Sequence, residues 1–346
     1  MKTIGFGIVG TGAIADFHAR ALAAISGASL LGVTSSRPDA RNAFASRHQT
    51  QAAHSLDELL ALPGLDAVTI ATPSGSHTEV ALAAFRAGKH VLCEKPLDVT
   101  LEKVDAMIAE ADRRGLLLGA IFQQRFGAGV RKLKAAIESG RFGRLTLCSC
   151  SLKWWRSQDY YDQGQWRGTK ALDGGGALFN QGIHAVDLLQ WLVGFPVEVQ
   201  AYTATLAHER VEVEDLGVAL LKFPSGALGV IEASTATWPG FSRRIEISGD
   251  RGSAILEDDR LTFWEFADKL AGDDEVTAFS PSSLGSGASD PAAIGIEGHR
   301  LQLEDFVAAI REQRQPSIRG ADARNSVRLV LAIYKAAVTN RPVRLD

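Results

Sequence analysis

Two side chains in this sequence have the chemistry to move a proton at an alcohol carbon. Lys95 follows the apolar run His90 to Cys93 and precedes Pro96. His184 lies in the apolar stretch from Ala177 to Val193, four residues after Asn180 and three before Asp187. An ammonium held beside a substrate hydroxyl lowers its pKa, and an imidazole can take up the proton because its free pKa lies near neutrality. If hydride leaves the same carbon, the pair carries out an alcohol dehydrogenation. Each residue also has a plainer reading: Lys95-Pro96 as a surface turn, His184 as a hydrogen-bonded core histidine.

The elements that must position them can be read from periodicity. A helix from about Ala177 to Val193, stopped by Gly194, would set Asn180, His184 and Asp187 on one stripe. An apolar helix keeps such a stripe only when its groups are paired, because each unpaired buried polar group costs about 1–3 kcal/mol. The glycines Gly174 to Gly176 before it permit a close backbone approach to a ligand, or simply a turn. Lys95 requires a buried strand ending at a ligand-binding edge.

That edge is announced at the start of the chain. The apolar run Ile4 to Val9 has the length of a buried strand, and it breaks at Gly10-Thr11-Gly12-Ala13-Ile14-Ala15 before a helical pattern to about Ile25. Strand, glycine turn and helix form the context in which G-x-G-x-x-A binds a dinucleotide. Gly10 allows the turn, Gly12 lets a pyrophosphate approach, Ala15 keeps helix and strand close, and the N–H groups at the helix start face the phosphates. A second strand, Ser29 to Ser35, ends in Ser36-Arg37, where an NAD-specific site usually has an acid. A hydroxyl followed by a guanidinium suits a 2′-phosphate and favours NADP.

Strands and helices then alternate. The third strand, Asp66 to Ala71, ends in Thr72-Pro73-Ser74; the next, His90 to Cys93, delivers Glu94-Lys95-Pro96; Leu116 to Phe122 ends in Gln123. This predicts a doubly wound parallel sheet over residues 1–124. From 125 to 346 long alternating segments separated by turn residues predict a second, α+β domain on a predominantly antiparallel sheet. Ser280 to Gly295, rich in Ser, Gly and Pro, reads as a mobile loop.

The chain's 346 residues carry a net charge of −3, so no overall basic field favours nucleic acid or an acidic membrane. The longest apolar runs fall short of a membrane span. With no secretory signal before the first strand, Cys93, Cys148 and Cys150 are expected to be reduced, in the cytoplasm. No metal is expected: Glu214-Asp215 lacks flanking His or Cys and reads as a solvated turn.

The sequence resembles the glucose–fructose oxidoreductase / inositol dehydrogenase / MocA family over essentially its whole length. The carriers are Gly10 to Ala15, Ala71-Thr72-Pro73 through His77, Ala87 through Glu94-Lys95-Pro96, and Gly174 through His184 to Asp187. The resemblance implies that Thr72, Pro73 and His77 lie near the nicotinamide half of the cofactor, with Ala71, Glu94, Pro96 and Gln123 also on the cofactor side. It implies that Lys95 bridges cofactor and substrate, that His184 is the acid/base, that Lys95-Pro96 can be cis, and that the second sheet builds homodimers or homotetramers. One departure stands out: many members have Asp where this chain has Asn180. Asn cannot relay a proton, but it can hydrogen-bond a substrate hydroxyl.

Substrate contacts are expected from Lys153, Trp155, Arg156, Tyr160, Trp166 and Arg167, since aromatic faces stack on sugar rings and cations bind hydroxyls or acids. A packed aromatic cluster is the plainer alternative. The leading expectation is an NAD(P)-dependent dehydrogenase acting on a secondary hydroxyl of a sugar, sugar derivative or cyclitol. A second is a sugar-nucleotide 3-dehydrogenase with retained cofactor, in which Arg156, Arg167 and Arg243 meet an acid or a diphosphate. A third, a dinucleotide-sensing regulator, would have little need of Lys95 and His184.

Overall fold

The computed structural model describes residues 2–164, 166–278 and 295–345. The expected loop Ser280 to Gly295 falls, apart from Gly295, outside the described residues. The chain forms two compact units: Met1–Gln123 with Ile296–Arg324, and Gln124–Gly295 with Asn325–Asp346. Residues 296–324 group with the first unit. The reason is apolar burial. Leu303, Phe306, Val307 and Ala309, on the helix Glu297–Glu312, complete the same core as Ala15, Ala19 and Leu22 of the helix Ala13–Ala23.

The first unit is built on six strands, β1 (Ile4–Val9), β2 (Ala28–Thr34), β3 (Gln51–Ala52), β4 (Leu65–Ile70), β5 (His90–Cys93) and β6 (Leu118–Ala120). They pair in parallel in the order β3-β2-β1-β4-β5-β6. Every residue of β1 is buried, as befits a strand covered on both faces. The order reverses direction beside β1, so the carboxyl ends of β1 and β4 flank the position where ligands of doubly wound sheets bind. The two-residue β3 has no counterpart in the sequence reading, being too short to show a period. The last strand is shorter than expected, since only Leu118–Ala120 pairs with β5.

The second unit holds β7 (Leu145–Lys153), β8 (Glu198–Ala204), β9 (Leu216–Lys222), β10 (Leu228–Ser234), β11 (Arg244–Gly249), β12 (Gly252–Glu257), β13 (Arg260–Phe266) and β14 (Val343–Arg344). They form one sheet ordered β13-β12-β11-β7-β10-β9-β8-β14. β7 and β10 pair in parallel; the other neighbours are antiparallel. Burial alternates along these strands, so one face packs on the core and the other is open.

Candidate active site

In the first unit the glycine turn has the form the motif requires. Gly10 has φ +114°, and a Cβ there would lie 2.3 Å from the Ala71 carbonyl oxygen. Gly12 caps the helix Ala13–Ala23 with open space where its Cβ would project. Ala15 is fully buried. The N–H groups of Ala13 and Ile14 head the helix, where no preceding turn supplies acceptors. Thr11 Oγ1 donates to Ser35 Oγ at 3.1 Å, joining the glycine turn to the end of β2; Ser35, one residue before the expected Ser36, makes that contact. Ser36 and Arg37 are both exposed. The Gln123 side-chain oxygen is buried without a hydrogen-bond partner. A bare glycine cradle at a helix start fits a pyrophosphate-containing dinucleotide.

The strand ends after β4 and β5 are tied to each other. His77 is buried, with Nδ1 2.9 Å from the Pro96 carbonyl oxygen and Nε2 2.9 Å from that of Thr72. Burial pushes this histidine below its ordinary pKa despite the two carbonyls. The resemblance sets His77 near the nicotinamide; its ring lies between the Thr72 and Pro96 carbonyls, and a neutral imidazole donates to one of them. The Lys95-Pro96 peptide is cis. Ahead of it, Glu94 Oε2 accepts the Lys95 backbone N–H at 3.1 Å, and Oε1 accepts His18 Nε2 at 2.9 Å. His18 Nδ1 meets Thr69 Oγ1 at 2.6 Å, and His299 Nε2 lies 3.7 Å from Glu94 Oε1. Burial alone would raise the Glu94 carboxyl, but His18 and His299 outweigh it and hold the group well below the usual carboxylate range. Burial pushes His299 below its ordinary pKa, against the pull of Glu94. This trio is also the one group of metal-ligating side-chain types drawn together among the described residues. The sequence reading passed over His18 and His299; neither sits in a motif.

In the second unit the expected single helix is broken. Ala177–Gln181 forms a π-helical turn, with Gly182 N–H donating to the Ala177 carbonyl at 2.7 Å, and the α-helix runs only from Ile183 to Val193. A π turn adds a residue per hydrogen-bonded loop, so Asn180 leaves the stripe predicted for it. Its Nδ2 donates to Asp173 Oδ1 at 2.5 Å. Asp187 joins Arg125 through two hydrogen bonds of 2.7 and 2.6 Å and accepts Ser326 Oγ at 2.7 Å. It is an internal anchor. His184 is 8% exposed.

Glu214 and Asp215 are buried, not a solvated turn. Glu214 accepts the Gly176 and Leu178 N–H groups at 3.0 and 2.8 Å and the Tyr334 hydroxyl at 2.9 Å. It therefore holds the start of the turn that carries Asn180. Burial raises its carboxyl, partly offset by these donors. Asp215 accepts the N–H groups of Leu206, Ala207 and His208 and lies 3.1 Å from His208 Nδ1. Adjacent acids with no local partner in sequence carried no sign of these contacts.

The expected substrate contacts divide. Arg156 stacks over Tyr160, Arg167 over Tyr160 and Trp166. Gln181, next to Asn180, donates to the Tyr160 hydroxyl at 3.0 Å and accepts from Arg156 Nη2 at 3.3 Å. These residues thus join the Asn180 turn. Trp155 packs edge-on against Trp238, which is 73% exposed. Lys153 does not join them: it forms an ion pair at 2.8 Å with Glu232 on the neighbouring β10. Arg243 is buried, and its guanidinium donates to the Asp258 carbonyl. The alternation of β7 explains Lys153, whose neighbour Trp154 is buried on the core side.

Glycine turn, parallel sheet and the tied strand ends define an oxidoreductase with an NAD-binding Rossmann fold. Residues 4–122 match the family model described as "Oxidoreductase family, NAD-binding Rossmann fold", and residues 130–255 match the GFO/IDH/MocA C-terminal domain. The chain belongs to the glucose–fructose oxidoreductase / inositol dehydrogenase / MocA family, as its motifs led us to expect. It is 29% identical to the myo-inositol 2-dehydrogenase of Thermotoga maritima over 98% of both chains. It is 31% identical to the levoglucosan dehydrogenase of Pseudarthrobacter phenanthrenivorans, with 80% of this chain and 78% of the relative covered. The WlbA dehydrogenase of Bordetella pertussis, solved with NADH and UDP-GlcNAcA, is similar with a TM-score of 0.90 and 34% identity over 100% of this chain and 99% of that one. No helix among the described residues is long and apolar enough to cross a membrane.

Proposed function

We propose that this protein transfers hydride between a secondary hydroxyl of a sugar, sugar derivative or cyclitol and a nicotinamide dinucleotide. The dinucleotide supplies the hydride acceptor or donor. Lys95 supplies a positive charge beside the reacting hydroxyl, and His184 exchanges its proton. The supporting observation is the anchoring of Lys95, whose backbone N–H is held by a buried carboxylate directly after β5, at the ligand edge of the sheet. NADP is favoured over NAD by Ser36 and Arg37, exposed past the end of β2 with no acid to meet a ribose hydroxyl. Arg156, Tyr160, Trp166 and Arg167 are the proposed sugar contacts, beside Asn180.

A second reading, a sugar-nucleotide 3-dehydrogenase that keeps its cofactor, draws support from the similarity to WlbA at full length and from the Arg156 and Arg167 guanidiniums. Three free, buried cysteines support a reducing compartment, the cytoplasm. A homodimer or homotetramer is supported by the open sheet face. Leu147 pairs across with Leu228, Leu220 with Val230 and Val218 with Tyr202, and Leu147, Leu228, Leu220 and Tyr202 are each more than half exposed. An apolar stripe of that kind is ordinarily covered by a partner.

The test is a screen of pyranosides, cyclitols and nucleotide sugars with both dinucleotides, reading nicotinamide reduction and, with the ketones, oxidation. Turnover of a free sugar or cyclitol supports the first reading; turnover of a UDP-sugar alone supports the second. Dinucleotide binding without turnover of any compound would overturn both.

A further inference from the structure

Glu214 and Asp215 are neighbours just before β9, and each takes hold of a different segment. The buried Glu214 carboxylate meets three donors: the Gly176 N–H on Oε2, and the Leu178 N–H and the Tyr334 hydroxyl on Oε1. The Glu214 backbone carbonyl accepts the Ala177 N–H at 3.0 Å. One residue thus grips Gly176, Ala177 and Leu178 in a row, where the π turn begins. Two of the glycines serve this approach: a Cβ at Gly175 would strike the Tyr334 hydroxyl, and one at Gly176 would strike the Glu214 carbonyl oxygen. From there the turn closes through the Gly182 N–H onto the Ala177 carbonyl and runs directly into the helix Ile183–Val193, whose second residue is His184.

Asp215 reaches the segment proposed to contact the sugar. Its Oδ1 accepts the Leu206 N–H and its Oδ2 those of Ala207 and His208, with His208 Nδ1 3.1 Å from Oδ2. The other nitrogen of that buried ring, Nε2, lies 2.8 Å from the Arg156 carbonyl oxygen. A second route runs through the backbone: the Asp215 carbonyl accepts the Thr235 N–H, and the Thr235 carbonyl accepts the Arg156 N–H, both at 2.9 Å. We propose that Glu214 and Asp215 are positioning residues with divided tasks, Glu214 setting the turn that delivers His184 and Asp215 setting the backbone at Arg156. This rests on the dehydrogenase reading above and says which support of the site serves proton transfer and which serves sugar binding.

An ionised carboxylate offers acceptors only, which suits a ring of donors. In Glu214→Gln the amide oxygen can keep Leu178 and Tyr334, but the NH2 then faces the Gly176 N–H, donor against donor, and the turn must shift. A misplacement of about 1 Å at a reacting group costs about 100-fold in rate. In Asp215→Asn an NH2 must likewise face an N–H of the loop 206–208, and His208 loses its carboxylate. Two milder variants keep both acids and cut one link each. Tyr334→Phe removes one donor from Glu214. His208→Phe keeps a ring against Tyr161 but has no nitrogen to reach the Arg156 carbonyl.

The experiment measures kcat and KM for the best compound among myo-inositol, levoglucosan and UDP-GlcNAcA, and backbone hydrogen exchange by mass spectrometry on the protein alone, for wild type and the four variants. Glu214→Gln is expected to lose about 10- to 100-fold in kcat with KM within about threefold of wild type, and Tyr334→Phe to show the same pattern more weakly. Asp215→Asn and His208→Phe are expected to raise KM by about tenfold with kcat within about threefold. Exchange should quicken over residues 176–184 in Glu214→Gln and over 205–209 in Asp215→Asn, each leaving the other segment as in wild type. A purely structural role for the two acids would lower kcat and raise KM together in all variants. That result, or exchange that quickens equally in both segments, overturns the inference; should either acid variant fail to fold, the Tyr334→Phe and His208→Phe kinetics decide it. Wild type that turns over none of the compounds tells against the dehydrogenase reading, and the exchange pattern then still decides whether the two acids hold separate segments.

Discussion

Arg125 Nε and Nη2 donate to Asp187 Oδ2 and Oδ1 at 2.7 and 2.6 Å, and both side chains are nearly inaccessible to solvent. This buried pair ties the helix Ile183–Val193, which carries His184, to the segment just before the helix Ala128–Glu138. Asp187→Ala leaves the Arg125 guanidinium buried without its carboxylate. We expect a loss of about 3–5 kcal/mol in unfolding free energy, measured by denaturant titration. A loss below about 1 kcal/mol would show that the pair does not anchor the helix.

Lys95→Ala and His184→Ala separate chemistry from cofactor binding. Each is expected to lower kcat by about 10²–10⁴-fold while the dinucleotide affinity, followed by nicotinamide fluorescence, stays close to wild type. Near-normal turnover in either variant would remove that residue from the mechanism.

Dinucleotide choice rests on the end of β2. Ser36→Asp introduces a carboxylate where a 2′-phosphate would lie, and like charges disfavour each other by several kcal/mol when desolvated. NADP affinity is expected to fall by about tenfold or more relative to NAD. Unchanged discrimination would move the specificity away from Ser36 and Arg37.

Glu94 makes stability depend on acid. Its folded pKa lies below its unfolded value, so in mild acid the folded state binds fewer protons than the unfolded one, and stability rises with pH through that range. The contribution is complete above the unfolded value of about 4.3 and is lost as pH falls through the folded one. Glu94→Gln should lower the melting temperature at pH 7 and flatten its decline between about pH 5 and pH 3. Parallel melting profiles for the two proteins would contradict the assignment.

What the sequence alone determined was local. The burial of Ile4–Val9, the positive φ of Gly10, the helix start after Gly12 and the order of strands and helices follow from side-chain period and glycine geometry within a few residues. Lys95 and His184 could be proposed as the reacting pair for the same reason, through motifs of short span. The exchange of partners across the chain was not. His18 meets Glu94 and Gln302 meets the Phe122 N–H over separations of 76 and 180 residues. The stripe Asn180, His184, Asp187 looked like one unit because α-helical spacing was assumed. The π turn held by Glu214 broke it, giving Asn180 to Asp173 and Asp187 to Arg125. Pairing of polar groups in a core depends on which distant segments pack together, and only the tertiary structure decides that, because every buried donor and acceptor must be satisfied by whatever the fold brings within reach.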